Sequence, residues 1–149
     1  MAETIQRRIH ELTYPFHAIH PLHAVMLAAT VPLFLGALLS DWAYWSTHEI
    51  QWANFASWLT AGALVFGAVA LVFAVFGLFR RAGRSGRRLL YLVLLLLMWV
   101  LGLINAFVHA KDAWAIMPTA LILSFIVLVL ACAATWGGFS TLRAKRGRE

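Results

Sequence analysis

The sequence predicts an all-α protein: a four-helix transmembrane bundle preceded by a short amphipathic interfacial helix. Three observations carry that prediction. The 149 residues are 62% hydrophobic and only 12% charged, whereas a soluble domain carries about 25% charged and about 45–50% apolar residues. Surface area shrinks too slowly with size for a soluble fold of this length to hide so much apolar side chain. Four stretches are each long and uncharged enough to cross a bilayer, which takes about 20 helical residues. The basic residues cluster beside alternate ends of those stretches.

The elements follow in chain order. Ile5, Ile9, Leu12 and Phe16 recur at helical spacing with Arg7, Arg8 and Glu11 between them, the pattern of a short helix lying on a membrane surface. His20 followed by Pro21 reads as a helix N-cap and first-turn proline. The first span is therefore expected over about 22–40, with a modest kink at Pro32, where one backbone hydrogen bond is lost. The second is expected over 53–79, the third over 89–110 and the fourth over 113–139. Every backbone N–H and C=O inside hydrocarbon must be paired within its own segment, so each span reads as a helix. Together they make one integral membrane domain over 1–149. A cleavable signal peptide is the weaker reading of the first span, because a polar, histidine-rich segment precedes it and no small-residue cleavage site follows.

The charges set an orientation. With four spans, the N-terminus, the loop RRAGRSGRR and the tail RAKRGRE share one side. They hold eleven of the twelve basic residues, and Lys111 stands alone opposite. Acidic residues divide evenly between the sides, so the positive-inside rule places both termini in the cytoplasm of a bacterial inner membrane. Short basic clusters abutting spans serve orientation and anionic headgroups, which removes nucleic acid as the partner implied by the net charge of +6. Trp42, Trp45, Trp52, Trp58 and Trp114 gather near the expected outer interface, and Tyr14 and Trp136 near the inner one. Trp99 falls mid-span and reads as packing against a neighbouring helix. Small residues four apart (Ala63/Gly67, Ala70/Ala74, Ala133/Gly137, Ala134/Gly138) predict close helix approach, within one bundle or between copies in a homo-oligomer.

Histidines and polar groups give the candidate sites. His17, His20 and His23 stand at a spacing of three before the first span. Imidazole is a ligand for haem iron and divalent metals, so His20 and His23 are candidate cofactor ligands, with help from His17 and the N-terminal His10. Helix capping and headgroup bonding are the structural alternative, and a pH-sensitive element is a third role. His23 and His109 are separated by most of the membrane and cannot share one iron. On the outer side, Asp41, His48 and Glu49 face Asn105, His109, Lys111 and Asp112. His48, Glu49, His109 and Asp112 are the candidate divalent-metal ligands, and Asn105 with His109 the candidate contacts for a haem edge or quinone headgroup. The structural alternative pairs Lys111 with Asp41 or Glu49 and bonds Asn105, an amide inside a span, to another helix. No GxSxG, Walker or HExxH motif appears, and Cys132, the one cysteine, reads as a small packing residue.

HPLHAVML, then PLFLGALLSDWAYW, and a last span ending in TWGGFSTLR resemble the bacterial inner-membrane proteins grouped as domain of unknown function 2231. The likeness runs from about His20 to Arg143. It differs at Ala28 and at Arg87 and Arg88, where members often carry histidines, and is closer to a subgroup with EIQWANFASWL and INAFVHAKDAW. The resemblance implies four spans and, through members fused to Rieske or cytochrome c domains, a link to membrane electron transfer. The reading that follows is a non-enzymatic accessory or binding component of the inner membrane, with a membrane redox partner. A haem- or quinone-binding redox protein is the alternative. A transporter subunit ranks last, because the spans hold few charges to mark a substrate path.

Overall fold

The computed structural model describes residues 20–79, 86–111 and 113–146. They form four long helices and one short one: α1 (Pro21–Thr47), α2 (Ile50–Phe79), α3 (Gly86–His109), α4 (Ala113–Ile116) and α5 (Thr119–Arg146). Stretches of α1, α2, α3 and α5 are long and apolar enough to cross a membrane. The N-terminal amphipathic helix expected around Ile5–Phe16 lies outside the described residues, as do His10 and His17.

The start of α1 is the one its residues dictate. His20 Nδ1 accepts a hydrogen bond from the backbone N–H of Leu22 at 3.3 Å, and Pro21 occupies the first helical position, where its missing N–H costs nothing. The helix runs uninterrupted through Pro32 and continues past Ser40 to Thr47, beyond the expected boundary. Its inward stripe persists through Asp41 and Tyr44, both buried, so the first charged residue does not mark the exit from the bundle. His48 ends it in the left-handed conformation (φ 59°, ψ 17°), donating its backbone N–H to the Tyr44 carbonyl at 2.8 Å. Only His48 and Glu49 separate α1 from α2. The fourth long helix also departs from its expected start: α4 covers one turn, and α5 opens at Thr119, after Pro118. Proline has no N–H to continue a helix, whereas its carbonyl begins one by accepting from Ile122 N–H at 3.2 Å.

The long helices pack as a ring in which α1 and α3 each contact α2 and α5. Ring neighbours are antiparallel, and α1 and α3 are parallel on a diagonal. Buried positions repeat by threes and fours: His23, Leu27, Thr30, Phe34, Ala37, Asp41 and Tyr44 on α1, with Ala120, Ser124, Val127, Ala131, Ala134 and Gly138 on α5. On α2 the stripe is Ala53, Ala56, Thr60, Ala63, Gly67 and Ala70. That 3.5-residue period is the seam of a left-handed bundle. The small residues on α2 and α5 bring backbones close, as their spacing predicts. Gly67 of α2 is a case in point, since an added Cβ would lie 3.2 Å from Met98 and 3.5 Å from Trp99.

The outside is apolar. Leu39, Val65, Phe76, Phe107 and Phe125 are exposed on the helix sides, a surface suited to lipid rather than water. Trp42, Trp45, Trp52 and Trp58 are exposed toward one end, and Trp136 toward the other. The tryptophan end is where α1 meets α2, and the basic end is where α3 begins, near Arg88. Trp99 at mid-depth packs as expected and also donates its indole N–H to the Leu64 carbonyl of α2 at 3.1 Å.

Candidate functional site

Two polar constellations lie inside the bundle, one at each end, and both join α1 to α3 across the diagonal. At the tryptophan end Asp41 is fully buried. Its Oδ1 meets His109 Nε2 at 2.8 Å, with both side chains almost wholly covered. Its Oδ2 accepts from the Ser124 hydroxyl of α5 at 2.5 Å. Ser124 Oγ accepts from the Asn105 amide at 2.8 Å, and His109 Nδ1 reaches the Asn105 backbone carbonyl at 2.9 Å. The four residues close a ring.

Hydrogen-bond chemistry fixes the protons in that ring. A backbone carbonyl only accepts, so His109 Nδ1 carries a hydrogen and donates it. The Asn105 NH₂ only donates, so the Ser124 hydrogen is directed at Asp41. The remaining contact, Nε2 to Oδ1, then holds one proton. With none, a lone pair would face a carboxylate; with two, both atoms would be donors. The imidazole and the carboxyl thus share one proton and carry no net charge between them, the form in which ionisable groups are tolerated in a membrane interior. Asn105 Oδ1 is buried without a hydrogen-bond partner, as are the hydroxyls of Thr60 and Thr135.

At the basic end His23 Nε2 lies 2.8 Å from the Tyr91 hydroxyl of α3. The Phe73 ring of α2 stacks on both His20 (5.5 Å between centroids) and His23 (5.8 Å). Gly138 of α5 makes room, because a Cβ there would lie 2.8 Å from Leu27 and 3.2 Å from the Tyr91 ring.

The residues singled out from sequence thus divide. Asn105 and His109 come together with Asp41, and the amide does bond another helix, through Ser124. Asp41 pairs with His109 in place of Lys111, which is exposed. His20 and His23 meet at the opposite end, about five helical turns away. His48 and Glu49 are exposed in the connection between α1 and α2, and Asp112 lies outside the described residues. Among the described residues, no group of three His, Cys, Asp or Glu side chains is placed to hold a metal ion. Sequence reasoning missed Ser124 and Tyr91. Each is a hydrogen-bonding side chain within a span, the signal that had drawn attention to Asn105.

Apolar helix flanks, four spans and polar groups tied to one another between them define a multi-span integral membrane protein. The chain belongs to the family described as predicted membrane protein (DUF2231), whose model matches residues 19–144. No curated protein and no solved structure matches it.

Proposed function

We propose that this chain is one integral membrane domain over 1–149. In this reading it is a non-enzymatic accessory or binding component of the bacterial inner membrane, with both termini in the cytoplasm. One observation carries the functional part: both nitrogens of His109 and both oxygens of Asp41 are engaged by neighbouring side chains or backbone. The most chemically capable group in the bundle is thereby used to join helices. Association with membrane electron transfer, implied by the family resemblance, is then made through a partner on the lipid-facing surface. The orientation rests on the eleven basic residues assigned to one side.

Visible spectroscopy and metal analysis of the detergent-purified chain test the functional reading. A colourless, metal-free preparation is expected. A Soret band lost on His109→Ala or His23→Ala would overturn it in favour of the haem-binding alternative. A reporter fused at Lys145 tests the orientation, and activity only on the periplasmic side would reverse it.

A further inference from the structure

Thr60 of α2 and Asn105 of α3 are fully buried, yet the Thr60 hydroxyl and Asn105 Oδ1 have no hydrogen-bond partner. Thr30, equally buried, satisfies its hydroxyl on the Leu27 carbonyl of its own helix at 2.7 Å. Thr60 makes no such bond. The Asn105 amide NH₂ is committed to Ser124, which leaves Oδ1 as an acceptor waiting for a donor. Leaving such atoms dry costs free energy.

The contacts beside them place both residues in one layer. A Cβ on Gly67 of α2 would lie 3.2 Å from Met98 and 3.5 Å from Trp99 of α3. One turn on, a Cβ on Gly102 of α3 would lie 3.1 Å from Leu64 of α2 and 3.3 Å from Phe34 of α1. The helices are antiparallel, so the next turn sets Asn105 level with Thr60. Both bonds across the diagonal join residues 68 apart, His23 to Tyr91 and Asp41 to His109, which makes Ala37 the α1 member of this layer. Ser124, bonded to Asn105, is the α5 member. All four are buried, and none is larger than asparagine, whereas Phe34 fills the neighbouring layer. The layer also divides the apolar interior, with Leu27, Phe34 and Met98 in one cluster and Tyr44, Val108 and Ile116 in another.

We propose that a buried water molecule occupies this layer, donating one hydrogen to Asn105 Oδ1 and bonded also to the Thr60 hydroxyl. One bridging molecule spans about 5.6 Å, two hydrogen bonds of about 2.8 Å each. Inward side chains at one level on neighbouring helices, with axes about 8–10 Å apart, leave a gap of that order. The site is polar and supplies the two partners that a buried water requires. Water is favoured over a metal cation because Asp41 and His109 neutralise one another and the two orphaned atoms add no charge. The ring of Asp41, His109, Asn105 and Ser124 takes no side chain from α2; the water joins that helix to it, so one polar layer ties all four spans.

A structure of the full chain at a resolution that shows ordered water tests this. One peak is expected within about 3 Å of both Thr60 Oγ1 and Asn105 Oδ1. Thr60→Val keeps the shape of the side chain and loses the hydroxyl, so the peak should vanish with the helices in place. Thr60→Ser should retain it. An empty gap in the wild-type chain would overturn the site, as would a direct Thr60–Asn105 hydrogen bond or a peak undiminished in Thr60→Val. A peak ringed by six or more oxygens at about 2.3–2.6 Å would be a cation and overturn the water.

Discussion

At the tryptophan end, α1 and α3 are joined through a carboxylate, an imidazole, a hydroxyl and an amide. At the basic end the same two helices share one imidazole–phenol bond and a stack on Phe73. Both regions occupy the same register on the same diagonal, so the difference lies in what each must neutralise. Asp41 is an ionisable group with no exposure, and such a group persists in a membrane interior only when paired and hydrogen-bonded. His23 retains slight exposure and needs only a polar neighbour and aromatic cover. The elaborate end is the one that buries a carboxyl group, and the plain end is the one that does not. The Asp41–His109 contact fixes one register between α1 and α3, and a buried pair of this kind is weak evidence for net stability.

That contrast can be broken from either side. The largest effect is expected for Asp41→Ala, which strands His109 and Ser124 together. Removal of one partner from a buried charge pair costs about 3–5 kcal/mol, to be read as a drop in unfolding free energy in detergent titrations. A loss under about 1 kcal/mol would mean that the pair contributes no more than an ordinary interhelical bond. Gly138→Ala comes next, because it places a methyl against Leu27 and the Tyr91 ring. Overpacking costs about 1–3 kcal/mol, and the same unfolding assay should show it at the low end of that range, since side-chain tips can shift. Tyr91→Phe should cost least, about 0.6 kcal/mol, the average for hydrogen bonds between membrane helices. The double variant of Asp41→Ala with Tyr91→Phe sharpens the comparison further. The sites lie about 27 Å apart along the helix axes, so their effects should add to within about 0.5 kcal/mol. A larger coupling would show that α1 and α3 respond as one rigid unit.

The spans were legible because hydrocarbon imposes a single rule on every residue that enters it. Their number, their helical form, the His20–Pro21 start and the small-residue packing of α2 and α5 all follow from that rule. The inner life of the bundle was only partly legible. Asn105 announced its need for a partner, since an amide within an apolar run has few other uses. Its actual partner, Ser124, lies on a helix whose phase relative to α3 depends on packing, and no local pattern encodes that phase. Lys111 had Asp41 or Glu49 as its alternative ion-pair partners because all three stand near the same ends of the spans, and depth alone does not choose between them. The charge belongs instead to the diagonal, where an offset of 68 residues, set jointly by two intervening connections and a helix, delivers His109. The ends of α1 and α5 shifted for local reasons that single residues supply: a left-handed cap at His48, and a proline at 118.

The reversal between α1 and α2, only two residues long, also bears on how the chain enters a bilayer during synthesis. With both termini on the side of the ribosome, as proposed, the tip carrying His48 and Glu49 must be carried through the hydrocarbon. A link that short allows no slack for the leading segment to settle while the next is still being made. The pair is thus suited to insertion as a folded hairpin, its two halves already shielding one another, so that translocation and the first tertiary contact are a single event.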